Sequence, residues 1–235
     1  MPAEINDQPV AESLPPQSAG GPVFTEQPFR WTYRAKFKRW ADIVFSIFFL
    51  PLIVPFSLLA ALLIKLDSRG PILVKLKRLG KDHSSFFKYK FRTMVPDAEK
   101  VLETLLRSNE VMREEYLRTY KIKNDPRITR FGRLLRRTSL DELPQVLNVL
   151  KGEMSWVGPR DILDSELAMY GEFGNRFVTV KPGITGLWQV SGRSQLAYTE
   201  RVRLDMFYVD NVSFWLDLKV LLRTVPVVLF GDGAV

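Results

Sequence analysis

Residues 43–64 read IVFSIFFLPLIVPFSLLAALLI, 22 residues without a charge. As a straight helix this run reaches about 33 Å, close to the thickness of a bilayer's hydrocarbon core. A run so long and apolar all round rarely serves as the core helix of a small domain. The run therefore points to a membrane. Pro51 and Pro55 stand four apart in its middle. Each lacks a backbone N–H and crowds the preceding turn, which predicts a break or sharp bend there.

The flanks decide between crossing and returning. Arg30, Arg34, Lys36, Lys38 and Arg39 precede the run. Lys65, Arg69, Lys75, Lys77 and Arg78 follow it, against Asp67 alone. An asymmetry of basic residues orients a spanning helix, and here there is none. The expectation is a re-entrant helix-break-helix with both ends on the cytoplasmic side, in preference to a span.

Upstream, residues 1–29 hold six prolines, four acids (Glu4, Asp7, Glu12 and Glu26) and no Lys or Arg. Without helical or strand period, they read as a disordered tail. No basic n-region precedes an apolar stretch, so they do not read as a signal peptide. The rest of the chain carries 34 basic side chains against the 26 acids less those four, a net of +12. So basic a surface suits phosphate, whether of nucleic acid, lipid headgroup or substrate.

Composition removes several chemistries. There is no cysteine, hence no disulfide framework, thiolate metal site or cysteine nucleophile. His83 is the single histidine, which argues against a histidine zinc site or a Ser-His-Asp triad. Acid-base work falls to carboxylates, Lys or Tyr.

Downstream of residue 70 the pattern is helix-rich α+β with short strands. PILVKLKRLG and FFKYKFRTM read as strands. An amphipathic helix is expected over 97–121, another from about 140 to 150, a third near 162–171 and an apolar one over 213–230. MSWV reads as a strand and the Pro-Gly of VKPGITGLWQVSGRS as a turn. The division expected is a tail (1–29), a membrane helix with basic flanks (30–70) and a cytoplasmic catalytic domain (71–235) whose last helix lies on the domain or membrane surface.

The chemistry concentrates in RRTSLDELPQVLNVLKGEMSWVGPR, residues 136–160. Ser139 and Glu142 have the spacing of a capping box. Leu140, Leu143, Leu147 and Leu150 form an apolar stripe, while Asp141, Gln145 and Asn148 share another face. A carboxylate at a helix start beside Arg136 and Arg137 is held ionised. It could be a nucleophile toward phosphorus or a ligand for Mg2+, and the arginines suit phosphate. A capped helix with a solvated charged face remains the alternative from these residues alone. No GxxxxGK[ST] or GxGxxG motif is present.

Together these residues resemble the small bacterial sugar transferases, the monotopic polyprenyl-phosphate hexose-1-phosphate transferases. The matching pieces are KRWAD (38–42) before the proline-containing apolar run, KYKFRTM (88–94), DPRITRFGRLLRRTSLDELPQVLNVLKGEMSWVGPR (125–160) and KPGITGLWQVSGR (181–193). The resemblance implies transfer of a hexose-1-phosphate from a UDP-sugar to undecaprenyl phosphate, releasing UMP, at the cytoplasmic leaflet of the inner membrane. This would start an exopolysaccharide repeat unit and feed downstream glycosyltransferases.

It further implies a catalytic dyad of Asp141 and Glu142, with Asp141 as covalent nucleophile and Mg2+ ligand. Arg136, Arg160, Lys90 and Arg92 are the implied phosphate contacts, and Pro55, with Pro51, the membrane break. Two departures stand out: Val54 where the family often has serine before the proline, and Asp161 where it commonly has proline after Arg160. The C-terminal region leans toward galactose over glucose. Nucleic-acid binding through the basic stretch 121–137 is the competing class. It lacks any helix-turn-helix or RRM pattern.

Overall fold

The computed structural model describes residues 31–119, 122, 125–192 and 196–230. The tail expected over 1–29 lies outside them. The described residues from 32 onward cluster as one compact unit.

The first element, α1 (Trp31–Asp67), carries the apolar run. The sequence reading allowed a break or a bend at Pro51 and Pro55; helix continues through both, so no gap interrupts it. Each proline deletes only its own hydrogen bond, to the carbonyl four residues back. In an apolar setting the neighbouring bonds have no water to compete with and carry the helix on.

Both ends of α1 nonetheless seat on the same body. At the first end, the Arg39 guanidinium donates to Leu150 O at 2.7 Å and to Val149 O. Asp42 Oδ1 accepts from Ser155 Oγ (2.9 Å) and Trp156 N (3.0 Å), and Trp156 Nε1 donates to Ser46 Oγ at 2.9 Å. At the other end, Ala60 and Ile64 are buried against Phe91 and Leu135. Between them Ile47, Phe48, Leu52, Leu58 and Leu59 are exposed, Phe48 by 75%. An apolar surface of this extent marks a membrane or protein contact.

Strands β1 (Leu73–Leu79) and β2 (Ser85–Phe91) form an antiparallel hairpin running from Leu73↔Phe91 to Leu79↔Ser85. The helix expected over 97–121 is two, α2 (Ala98–Ser108) and α3 (Glu110–Thr119). Asn109 between them is extended, and its Oδ1 accepts from Met112 N at 3.1 Å, capping the second helix. Inside the basic stretch lies a helix the sequence reading missed, α4 (Arg130–Arg137), capped by Thr129 Oγ1 on Gly132 N at 3.0 Å. A Cβ on Gly132 would stand 2.0 Å from Thr93 O, so only glycine permits this seat against the strand's end.

The expected 140–150 helix splits into a 3-10 segment (Leu140–Gln145) and α5 (Val146–Lys151), which ends on Gly152 at φ +86°. The capping box does not form. Ser139 adopts a left-handed φ of 55°, and its side chain makes no cap hydrogen bond. An N-cap hydroxyl reaches the first amides only from extended backbone.

Then come β3 (Ser155–Val157), a 3-10 stretch (Asp164–Phe173), α6 (Gly174–Phe177), β4 (Gly183–Thr185), α7 (Tyr198–Asp210) and α8 (Phe214–Phe230). Strands β3 and β4 pair in parallel. The main core joins Leu79, Ile162, Tyr170, Phe177, Val178, Met206 and Val209, and a second cluster packs Phe86, Val149 and Met154.

Candidate active site

Period-2 alternation along β2 sends Lys88 and Lys90 to one face, against the 3-10 segment that opens with Asp141 and Glu142. Asp141 is 2% exposed, too deep for solvent to balance its charge. Lys90 Nζ supplies the balance, 2.8 Å from Asp141 Oδ2 and 3.7 Å from Glu142 Oε1. Apart from this ion pair, Asp141 Oδ2 has no further hydrogen-bond partner among the described residues.

Burial would lower the Lys90 pKa. The attraction of Asp141, then of Glu142, outweighs it, and the pKa is raised. Glu142 is pushed up, by burial first and then by Asp141, with Lys90 in opposition. One carboxylate is thus clamped to a cation and its neighbour is primed to hold a proton.

Arg136 comes from the last turn of α4. Its Nε donates to Thr93 Oγ1 at 2.9 Å, and burial lowers its pKa while Asp141 and Asp125 attract it. The basic stretch is thus partly turned inward: Arg127 likewise pairs with Asp125 at 2.6 Å.

The other two expected phosphate contacts sit elsewhere. Arg92 is a buried clamp, donating to Ser68 O (2.8 Å), Ser68 Oγ (3.0 Å) and Arg69 O (3.0 Å) where α1 ends. Arg160 lies over the Trp188 ring at 5.7 Å, with Nη2 3.9 Å from Glu166, and its backbone N donates to Asp205 Oδ1 at 3.3 Å. Asp205 is fully buried, also takes the Tyr170 hydroxyl at 3.0 Å, and has its pKa pushed up by burial to about 7.

Asp161, in the family's proline position, joins Lys88 (2.5 Å) and Arg78 (2.8 Å). Burial would raise its pKa, but those cations and Arg160 hold it low. Lys88 and Arg78 were not singled out from sequence. The KYK alternation was the available signal for Lys88, since it puts 88 and 90 on one face.

Among the described residues no group of three or more Asp, Glu or His gathers as a metal cage. Asp141 and Glu142 are two neighbouring carboxylates, the donor type Mg2+ takes alongside substrate phosphates, and Lys90 now stands at both.

The profile of the family described as Bacterial sugar transferase matches residues 33–231. The chain is 45% identical over 197 residues to a UDP-galactose-lipid carrier transferase of Erwinia amylovora, and 46% to an undecaprenyl-phosphate galactose phosphotransferase of Salmonella typhimurium. Each alignment covers 84% of this chain and 41% of the relative, so the chain spans about two fifths of their length. A shorter relative, the exopolysaccharide production protein ExoY of Rhizobium meliloti, is 41% identical, with 84% of this chain and 87% of the relative covered. With the profile covering nearly all of the described residues, the chain belongs to the bacterial sugar transferase family.

Proposed function

We propose that this chain transfers a hexose-1-phosphate, galactose before glucose, from a UDP-sugar to undecaprenyl phosphate at the cytoplasmic face of the inner membrane. The observation that carries the proposal is the buried Asp141 carboxylate, held between Lys90 and Arg136 and next to a Glu142 whose pKa is raised. The names of the Erwinia and Salmonella relatives favour galactose, and the ExoY relatives favour an exopolysaccharide product.

In this mechanism an Asp141 oxygen attacks the sugar-linked phosphorus of the diphosphate. The bond from that phosphorus to the bridging oxygen breaks, and UMP leaves with the electron pair. The lipid phosphate oxygen then attacks the same phosphorus, breaks the acyl-phosphate bond and restores the carboxylate. Lys90 shields the nucleophile's charge until the diphosphate arrives. Arg136 faces the anionic oxygens. Glu142 takes up or returns the proton that accompanies the charge changes. Mg2+, held by Asp141 and Glu142, would offset charge on the diphosphate.

Membrane placement is supported by the exposed middle of α1 between two ends docked on one body, which suits a helix dipping into one leaflet. Such a dip keeps both termini on the cytoplasmic side and delivers the lipid-linked sugar to later glycosyltransferases. Nucleic-acid binding is less favoured: Arg127 of the basic stretch is spent on Asp125, while Arg130, Arg133 and Arg137 stay exposed without a recognition motif around them. The test is UMP release from UDP-galactose in nanodiscs containing undecaprenyl phosphate. Multiple-turnover release, beyond one equivalent per enzyme, that depends on the lipid and exceeds that from UDP-glucose is expected. Absence of UMP with either sugar overturns the assignment.

A further inference from the structure

Lys181, half-buried in the loop before β4, makes no hydrogen bond or ion pair among the described residues. Its Nζ and the Arg39 Nη2 both stand 3.5 Å from the point where a Cβ on Gly152 would sit. Two cations therefore converge over a residue that has no side chain to fill the space. Burial, then Arg39, then the more distant Lys81 and Lys38 lower the Lys181 pKa, with Asp42 in opposition. The acids nearby are committed elsewhere. Asp42 Oδ1 takes Ser155 Oγ and Trp156 N, and Asp217 takes Lys38 at 2.6 Å. Arg39 spends its own N–H groups on the last carbonyls of α5, so it contributes charge while Lys181 keeps free donors.

A second observation fixes the level of this pocket. The same end of α1 exposes Phe37 and Trp40, and the first turn of α8 exposes Phe214 and Trp215, the last by 75%. Phe37 and Phe214 meet edge to face at 6.0 Å and Phe214 meets Trp215 at 5.5 Å, so these three rings form one continuous surface. Exposed Trp and Phe beside lysines, bordering an apolar helix, mark the depth of lipid headgroups.

We propose that Lys181 and Arg39 hold the phosphate of an anionic phospholipid headgroup, seated over Gly152 at the membrane surface. The proposal rests on the membrane placement of α1 and not on the transfer chemistry. Arg39 grips the far end of α5, whereas Asp141 opens the segment before it. The lipid held here is therefore distinct from the one that reacts.

The experiment is native mass spectrometry of the protein released from nanodiscs of phosphatidylcholine mixed with phosphatidylglycerol. Wild type should retain phosphatidylglycerol preferentially. Lys181→Gln should reduce that retention about tenfold, the value of one charge-assisted phosphate contact. Lys36→Gln, at an exposed cation on the same helix, should leave it unchanged. A second arm needs no variant: phosphatidylglycerol should protect Lys181 of wild type from an amine-acylating reagent, and inorganic phosphate should not. Equal protection by inorganic phosphate would reassign the site to a soluble oxyanion. Equal retention by wild type and Lys181→Gln, or no protection by either, overturns the site. UMP release by wild type in pure phosphatidylcholine nanodiscs shows separately whether membrane placement and chemistry stand.

Discussion

Replacing Lys90 by Met keeps the length of the side chain and removes the cation from between Asp141 and Glu142. At an effective dielectric of about 20, charges at the observed 2.8 and 3.7 Å attract by about 6 and about 4.5 kcal/mol. Most of this offsets the cost of desolvating the three groups, and breaking such an arrangement costs about 3 kcal/mol net. The cost depends on pH through Glu142. Its pKa is already raised, and losing Lys90 raises it further. As pH falls, Glu142 takes up its proton and the missing cation matters less; as pH rises, two carboxylates share the site with only Arg136 to attract them. Lys90 itself, with a raised pKa, stays charged across this window, and its contribution is lost only as pH rises through that value. Thermal unfolding in detergent should therefore show a Tm loss of about 6–12 °C at pH 8, from about 2–4 °C per kcal/mol for a protein of this size. At lower pH the loss should be smaller, and Lys90→Arg should lose little at either pH. Equal losses at both pH values, or none, would refute the view that Lys90 neutralises a buried acidic pair.

Two further outcomes follow from the same structure. Asp205 has a folded pKa near 7, so the native state keeps a proton that the unfolded chain releases near pH 4. Its contribution makes stability fall as pH rises from about 4 to about 7, by about 4 kcal/mol in all, and then level off. Asp205→Asn should flatten that part of the Tm-against-pH curve, and an unchanged slope would contradict it. Single cysteines at Lys36 and Ser84, both exposed and on opposite sides of the apolar run, should both resist an impermeant thiol reagent in intact cells. Labelling of one alone would mean that α1 crosses.

The local parts of this molecule were legible in its sequence and the long-range ones were not. The hairpin strands, the MSWV strand and the last helix follow from period and turn residues close at hand. Asp141 was legible as a candidate because it shares a polar face with Gln145 and Asn148 beside two arginines, whereas its pairing with Glu142 as a dyad came from the resemblance. Its partner Lys90 is 51 positions away, and only the resemblance suggested it. Arg92 and Arg160 have partners that the motifs did not announce. Both lie in matching motifs, yet Arg92 turns to the end of α1 and Arg160 to Trp188, because strand register and loop course decide where a long side chain points. The prolines open no gap in the helix for a related reason. Proline removes one hydrogen bond, and whether a helix survives that depends on its surroundings. The capping box failed on a single dihedral, the left-handed φ of Ser139, which spacing alone does not reveal.

The central claim is that Asp141 forms a covalent bond to the sugar phosphate. Intact-protein mass spectrometry after mixing with UDP-galactose, without lipid acceptor, tests it most directly. Wild type should gain the mass of a hexose phosphate and release one equivalent of UMP, and undecaprenyl phosphate should then discharge the adduct. Asp141→Asn, which keeps the size of the side chain, should show neither adduct nor UMP, with turnover lower by several orders of magnitude. An adduct on Asp141→Asn, or near-normal turnover by it, would contradict the account at its centre.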